Sequence, residues 1–148
     1  MENFKARVRE WLQKNDFDCD IEMDTDFGYD WGANIVHIGT SQYPEVGRWY
    51  KHFMFKYGLA WSHVTDDVMC MIHELGHYST IEQFTDIELL MCQFVKSEML
   101  DRMENPDTMF KYWEMRDEFA ANCWAIDFIN YNIEAVNELI EIFAERSA

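Results

Sequence analysis

The sequence predicts an α+β fold in which helices dominate, and three observations support this prediction. Two short runs in the first 40 residues have the alternation or the β-branched composition of strands. Helical apolar spacing covers most of the chain after Pro44, and only 2 Pro and 6 Gly interrupt the sequence. No linker rich in Gly, Ser or Pro divides the 148 residues, so we expect a single domain spanning 1–148.

One helix and two strands are predicted before Pro44. The helix has apolar residues at helical spacing, the first strand alternates apolar and acidic side chains, and the second strand is rich in β-branched residues. We expect the two strands to pair as a hairpin, because the residues between them contain the turn sequences Asp-Phe-Gly and Asp-Trp-Gly. In order, these elements are a helix over 3–14, a strand over 17–23, a turn over 24–32 and a strand over 33–38.

Five further helices are predicted after Pro44. Gly58 is expected to end the first of them, and Thr65 and Thr85 are placed to cap the second and the third. Asn105-Pro106 breaks the chain before the fourth helix. The predicted helices cover 45–57, 66–79, 85–103, 107–130 and 132–146.

Composition and charge narrow the class of protein. Apolar residues make up 49% of the chain and aromatic residues 16%, which is typical of a packed globular domain and not of a disordered chain. The 12 Lys and Arg against 28 Asp and Glu give a formal net charge of −16. This charge argues against a nucleic acid or an anionic membrane as a partner, because both recruit clustered cations.

Compartment and membrane signals point to a cytoplasmic protein. No apolar run approaches the roughly 20 residues of a membrane helix, and the first ten residues lack the apolar stretch of a signal peptide. The cysteines are scattered and form no C-x-x-C pair, which favours reduced thiols. They are Cys19, Cys70, Cys92 and Cys123.

The clearest chemical motif is His73-Glu74-Leu75-Gly76-His77, an H-E-x-x-H pattern inside the predicted helix 66–79. Residues i and i+4 project from one face of a helix, so both imidazoles can reach one cation at about 2.0–2.1 Å. The carboxylate next to the first histidine is placed to act as a general base on a metal-activated water. The opposite face is expected to anchor the helix in the core through Val68, Met71, Ile72, Leu75 and Ser79.

A catalytic zinc site needs a third protein ligand, which leaves the fourth position for water. The extended H-E-x-x-H-x-x-G-x-x-H pattern does not continue here, because Thr80 and Gln83 occupy the places of its glycine and its third histidine. Cys70 lies one turn before His73 and would make a closed structural site. Three ligands on one helix would strain a tetrahedral site, so we favour an acidic ligand from a later helix.

The predicted helix 107–130 offers the best acidic candidates. Glu118 shares one face with Ala121, Asn122 and Ala125, and the small alanines would let this helix approach the metal helix closely. Asn122 is one turn beyond Glu118 and can orient a ligand by a hydrogen bond. Spacing leaves Asp117 and Glu114 open as alternatives to Glu118, because both lie within a turn of it.

Three further residues are candidates for the cleft around the metal. Tyr112 and Tyr78 can donate a hydrogen bond to a developing oxyanion, and His37 can line the cleft. The strand that carries His37 can also pair with an extended substrate. Each of these residues has an ordinary structural interpretation as well, as part of the core or of a half-buried strand.

The motif His73-Glu74-x-x-His77 followed by Glu118-x-x-Ala121-Asn122 resembles the ImmA/IrrE-type zinc metallopeptidases, a gluzincin-like family of bacteria, phages and mobile elements. The resemblance covers roughly residues 30–130 and implies a zincin-like fold, with a small N-terminal hairpin or sheet packed on the active-site helix. It implies that His73, His77 and Glu118 bind Zn²⁺ and that Glu74 is the catalytic carboxylate. Known members cleave regulatory proteins, which implies a protein or peptide substrate.

Two functions therefore follow as hypotheses. The first is a zinc metallopeptidase that hydrolyses peptide bonds of a protein substrate, with Glu74 as general base. The alternative is a catalytically silent binding or regulatory module, of the type found in phages or mobile elements, which zinc stabilises.

Overall fold

The computed structural model describes residues 2–40, 45–60, 63–99 and 105–146. Helices dominate and a small sheet stands near the N-terminus, so the predicted α+β class is confirmed. No helix in these ranges is both long enough and apolar enough to cross a membrane. The elements are α1 (Glu2–Lys14), β1 (Asp20–Asp24), β2 (Gly28–Asp30), β3 (Ile35–Gly39), α2 (Glu45–Lys56), α3 (Asp66–Thr80), a 3-10 turn (Ile81–Gln83), α4 (Asp86–Met99), α5 (Pro106–Trp113), α6 (Arg116–Tyr131) and α7 (Ile133–Arg146).

The described strands form one sheet in the order β1-β3-β2, and its pairing differs from the prediction. The hairpin predicted between 17–23 and 33–38 is wrong, because β1 and β3 run parallel. The antiparallel partner of β3 is β2, which lies inside the segment 24–32 predicted as a turn. Asp30 Oδ1 accepts hydrogen bonds from the backbone of Gly32 and Ala33 and so forms the tight turn that reverses the chain before β3.

The helix boundaries agree with the sequence where a local signal sets them. Gly58 has φ of +108° just beyond α2, and Thr85 caps α4 by accepting a hydrogen bond from the Glu88 backbone at 3.2 Å. The cap expected at Thr65 does not form, because its hydroxyl donates to Asp67 Oδ1 at 2.6 Å. The helix predicted over 85–103 is confirmed from Asp86 to Met99. Residues 100–104 lie outside the described residues.

The single helix predicted over 107–130 is wrong, because the chain forms two helices there. α5 ends at Trp113, and Met115 has an extended ψ of 145° before α6 begins. Trp113 is buried in the core, packed against Tyr50 and Phe53. α6, which begins after this break, packs against α3.

Helix α3 lies at the centre of the molecule. Its predicted core residues Val68, Met71, Ile72 and Leu75 are fully buried, whereas Ser79 is only half-buried. The helix packs against α2, α6, α7 and the strands β2 and β3. A helix enclosed on this many sides is held rigidly, which is a requirement for side chains that must keep a fixed geometry.

Candidate metal centre

The candidate site is built where α3 and α6 cross at close range. Gly76, inside the H-E-x-x-H motif, lies against the backbone of α6: a Cβ at this position would be 2.4 Å from the carbonyl oxygen of Ala121. Ala121 and Ala125 are fully buried at the same contact. The small residues on both helices therefore bring the two backbones together, as the alanines of α6 predicted.

This packing brings His73, His77 and Glu118 together. The Nε2 atom of His73 is 3.5 Å from Oε2 of Glu118, and Nε2 of His77 is in ion-pair contact with the same oxygen. Ligand atoms on a tetrahedral zinc, with bonds of about 2.0–2.2 Å, stand about 3.4 Å apart. The separation of His73 and Glu118 matches that spacing, and the His77 imidazole also lies against the same Glu118 oxygen.

Two of these atoms are buried and lack a hydrogen-bond partner within the described ranges, namely His73 Nε2 and Glu118 Oε2. Leaving a buried polar atom unpaired costs about 1–3 kcal/mol, so such atoms are rare unless a water or an ion satisfies them. Both atoms face the point where the three side chains meet. Two imidazole nitrogens and one carboxylate oxygen are a donor set that suits Zn²⁺, so the residues fit this metal.

The His73 ring is held on two sides. Its Nδ1 atom is 2.7 Å from Oδ1 of the buried Asn122, the residue expected to orient a ligand. If Nδ1 carries the proton and donates it to this bond, Nε2 keeps a lone pair that can bind a metal. Tyr50 stacks on the other side, with ring centroids 4.1 Å apart and planes 20° apart. Together these contacts fix both the orientation and the tautomer of the imidazole.

Glu74 lies next to the first imidazole and is buried, yet it lines the cleft. Burial raises the pKa of Glu74 to about 7, although the neighbouring His73 partly opposes the shift. Glu118 behaves differently. Burial alone would raise its pKa, but His77 and His73 hold it well below its usual range, so Glu118 stays ionised. The two carboxylates therefore have distinct properties, one poised to exchange a proton and one fixed as an anion.

Asp117 and Glu114, the alternatives to Glu118, occupy other positions. Asp117 is buried and has an oxygen within 4.8 Å of ligand atoms of His77 and Glu118. Its Oδ2 atom is 2.5 Å from Nζ of Lys96, and its Oδ1 accepts a hydrogen bond from the Glu118 backbone. Glu114 is exposed, with Oε1 4.0 Å from Lys56 Nζ. Asp117 is thus already engaged by a cation, and Glu114 points away from the site.

A cleft of about 290 Å³ opens beside the three converging side chains. His77 and Tyr112 line it, together with Lys96 from α4. Burial and the nearby carboxylate of Glu118 raise the pKa of Tyr112, so its hydroxyl keeps its proton and remains a hydrogen-bond donor. Of the two tyrosines expected as oxyanion donors, Tyr112 is the one that lines the cleft.

Tyr78, His37 and Cys70 have their contacts elsewhere. The Tyr78 hydroxyl accepts a hydrogen bond from the Asp18 backbone at 2.9 Å. His37 Nδ1 is 3.2 Å from Asp24 Oδ2, and neither aromatic ring is among the residues that line the cleft. The Cys70 thiol is buried beside the backbone of Gly47, and burial raises its pKa, which disfavours the thiolate that a metal needs.

Two residues of the site were not anticipated from the sequence, Lys96 and Tyr50. Lys96 lines the cleft, and its side chain is only 13% exposed. A signal existed, since Lys96 shares a helical face with Leu89 and Cys92, which are buried. Tyr50 gave no comparable signal, because one aromatic residue in a chain with many is not distinctive.

We compared the chain with models of known protein families, with curated proteins and with solved structures, and it matches none of them.

Proposed function

We propose that this protein is a zinc-dependent peptidase that hydrolyses peptide bonds of a protein substrate. The resemblance to the ImmA/IrrE-type metallopeptidases suggests that the substrate is a regulatory protein. The observation that carries the proposal is that Nε2 of His73 and Nε2 of His77 both lie against Glu118 Oε2, and that His73 Nε2 and Glu118 Oε2 are buried without a hydrogen-bond partner among the described residues. A zincin-like arrangement, with the sheet beside the active-site helix, is part of the same proposal.

A zinc ion held by these three residues would act as a Lewis acid toward a peptide carbonyl and would make water a better nucleophile. Glu74 supplies the proton transfer: its carboxylate takes a proton from the attacking water and returns it to the leaving nitrogen. Burial raises the pKa of this carboxyl, which favours uptake of the proton. The Tyr112 hydroxyl donates a hydrogen bond toward the developing oxyanion.

The test compares zinc-loaded wild type with Glu74→Gln. Mass spectrometry counts new peptide termini in a library of peptides derived from a digested proteome, which avoids guessing the substrate. The variant keeps the size of the side chain but cannot accept the proton, so we expect stoichiometric zinc and a loss of cleavage of about 10²–10⁴-fold. The exposed Glu82→Gln serves as a matched control and should cleave like wild type.

Equal cleavage by wild type and Glu74→Gln would contradict the mechanism. Absence of new termini with the zinc-loaded wild type, combined with a melting temperature that falls on chelation, would favour the alternative of a zinc-stabilised binding module.

A further inference from the structure

The outer face of α4 carries a stripe of large apolar side chains that the described residues leave open. The exposed fractions are 70% for Ile87, 55% for Leu90, 64% for Met91, 70% for Phe94 and 40% for Val95. These positions are spaced i, i+3, i+4, i+7 and i+8, so they lie on one face of the helix. We call this set the α4 stripe.

The opposite face of α4 is already packed against the rest of the molecule. Leu89 and Cys92 are buried, and Gln93 and Lys96 line the cleft. A helix with apolar residues on both faces is usually buried on both faces, whereas one apolar face of α4 is exposed. Five adjacent large apolar side chains, each 40–70% exposed, form a contiguous apolar patch, and such patches mark interaction sites.

A groove of about 350 Å³ adjoins the stripe, between α4 and the start of α6. Met91 and Val95 belong to both the stripe and the groove, and Phe84 and Met115 complete its apolar lining. Apolar grooves of this kind accept the anchoring side chains of an amphipathic helix.

The charges around the stripe indicate the partner. Asp86 and Glu98 are exposed acids at the two ends of α4, and Glu88 at the groove edge is paired with Arg116 at 2.9 Å. The one Lys of α4, Lys96, is turned inward to Asp117. A second copy of this chain would bring another net charge of −16 to the contact, whereas a cationic partner would be attracted.

We propose that the α4 stripe and its groove are a docking surface for a basic amphipathic helix of another protein. The apolar face of that helix would cover the stripe, and its flanking Lys or Arg residues would face the acids of α4. The proposal does not depend on peptidase activity, although α4 also forms a wall of the cleft.

The test measures fluorescence anisotropy of a labelled 18-residue peptide of Leu and Lys whose pattern is amphipathic as a helix. A scrambled peptide of equal composition controls for charge alone. The stripe variant carries Leu90→Ser and Phe94→Ser, and the control variant carries Tyr131→Ser at a residue that is 84% exposed on α6. Because these side chains are exposed, circular dichroism should show the wild-type fold in both variants.

We expect wild type and Tyr131→Ser to bind the amphipathic peptide alike, and the stripe variant to bind at least about 10-fold more weakly. The proposal is overturned if wild type binds the scrambled peptide equally well, or if the stripe variant binds like wild type. It is also overturned if light scattering finds a wild-type dimer that the stripe variant converts to a monomer, since the occupant would then be a second copy.

Discussion

Gly76 of α3 and Ala121 of α6 meet backbone to backbone, and this contact sets the distance between the two helices that carry the candidate ligands. His77 follows Gly76 directly, and Glu118 lies one turn before Ala121. The ligand geometry therefore depends on a position that itself binds nothing. A glycine here is required because a Cβ would be 2.4 Å from the Ala121 oxygen.

Gly76→Ala should therefore weaken zinc binding and lower stability. Alanine gains about 1 kcal/mol of helix propensity, but the clash with a backbone oxygen forces the helices apart at a cost of about 1–3 kcal/mol or more. We expect a lower melting temperature, by about 2–4 °C for each kcal/mol lost, and a higher dissociation constant for zinc. Gly32→Ala is the control, because its Cβ would have Asp30 Oδ1 at an ordinary 3.4 Å. A fully wild-type Gly76→Ala protein would show that the contact is not restrictive.

Asn122 should set the zinc affinity through His73. Asn122→Ala removes the acceptor 2.7 Å from Nδ1, which frees the ring to rotate and to change tautomer. Losing such a partner of a metal ligand costs about 10–100-fold in affinity, measured by competition with a chelating dye. Asn122→Asp keeps an acceptor oxygen and should retain most of the affinity. Equal losses in the two variants would mean that Asn122 acts only by packing.

Substitution of the adjacent buried carboxylates Asp117 and Glu118 should identify the third zinc ligand. Glu118→Gln should abolish stoichiometric zinc, because an amide is a poor substitute for the anionic oxygen that faces both histidines. Asp117→Asn should keep zinc but lower the melting temperature, because it removes the carboxylate that is hydrogen-bonded to the buried Lys96 and leaves only Glu118 to balance its charge. Metal content by mass spectrometry distinguishes the variants, and the reverse pattern would assign the ligand to Asp117.

Zinc affinity should fall steeply in acid. The pKa of Glu118 lies well below its usual range, so this carboxylate stays ionised, whereas an imidazole binds a metal only in its neutral form and loses the metal when it takes up a proton in acid. Binding should therefore be full above neutral pH and should weaken below about pH 6, with up to two protons taken up for each zinc released. Affinities measured between pH 5 and 8 test this prediction. An affinity that stays constant down to pH 4 would exclude histidine ligands.

Local signals in the sequence predicted several parts of the fold. Gly58 ends α2 and Thr85 caps α4, because a positive φ and a side-chain cap involve only neighbouring residues. The strand pairing was mispredicted, since β2 has three residues and too little alternation to stand out from a turn. The break at Met115 was also missed, because the buried Trp113 that accompanies it has its partners in α2.

The sequence did not show which face of α4 is buried. Apolar residues occupy both sides of this helix, so periodicity cannot tell which side is buried. The structure turns Leu89 and Lys96 inward and leaves Ile87 and Phe94 exposed. Lys96 lies on the inward face of α4 and therefore lines the cleft, where it pairs with Asp117.

Helix periodicity alone places His73 and His77 on one face with Glu74 beside them, because the 3.6-residue period relates positions within one helix. Periodicity does not reveal which carboxylate meets these histidines, how close it comes or which cation pairs with the neighbouring Asp117. Those outcomes depend on the packing of α3, α4 and α6, and contacts between helices far apart in the chain are set by the shape of the whole core.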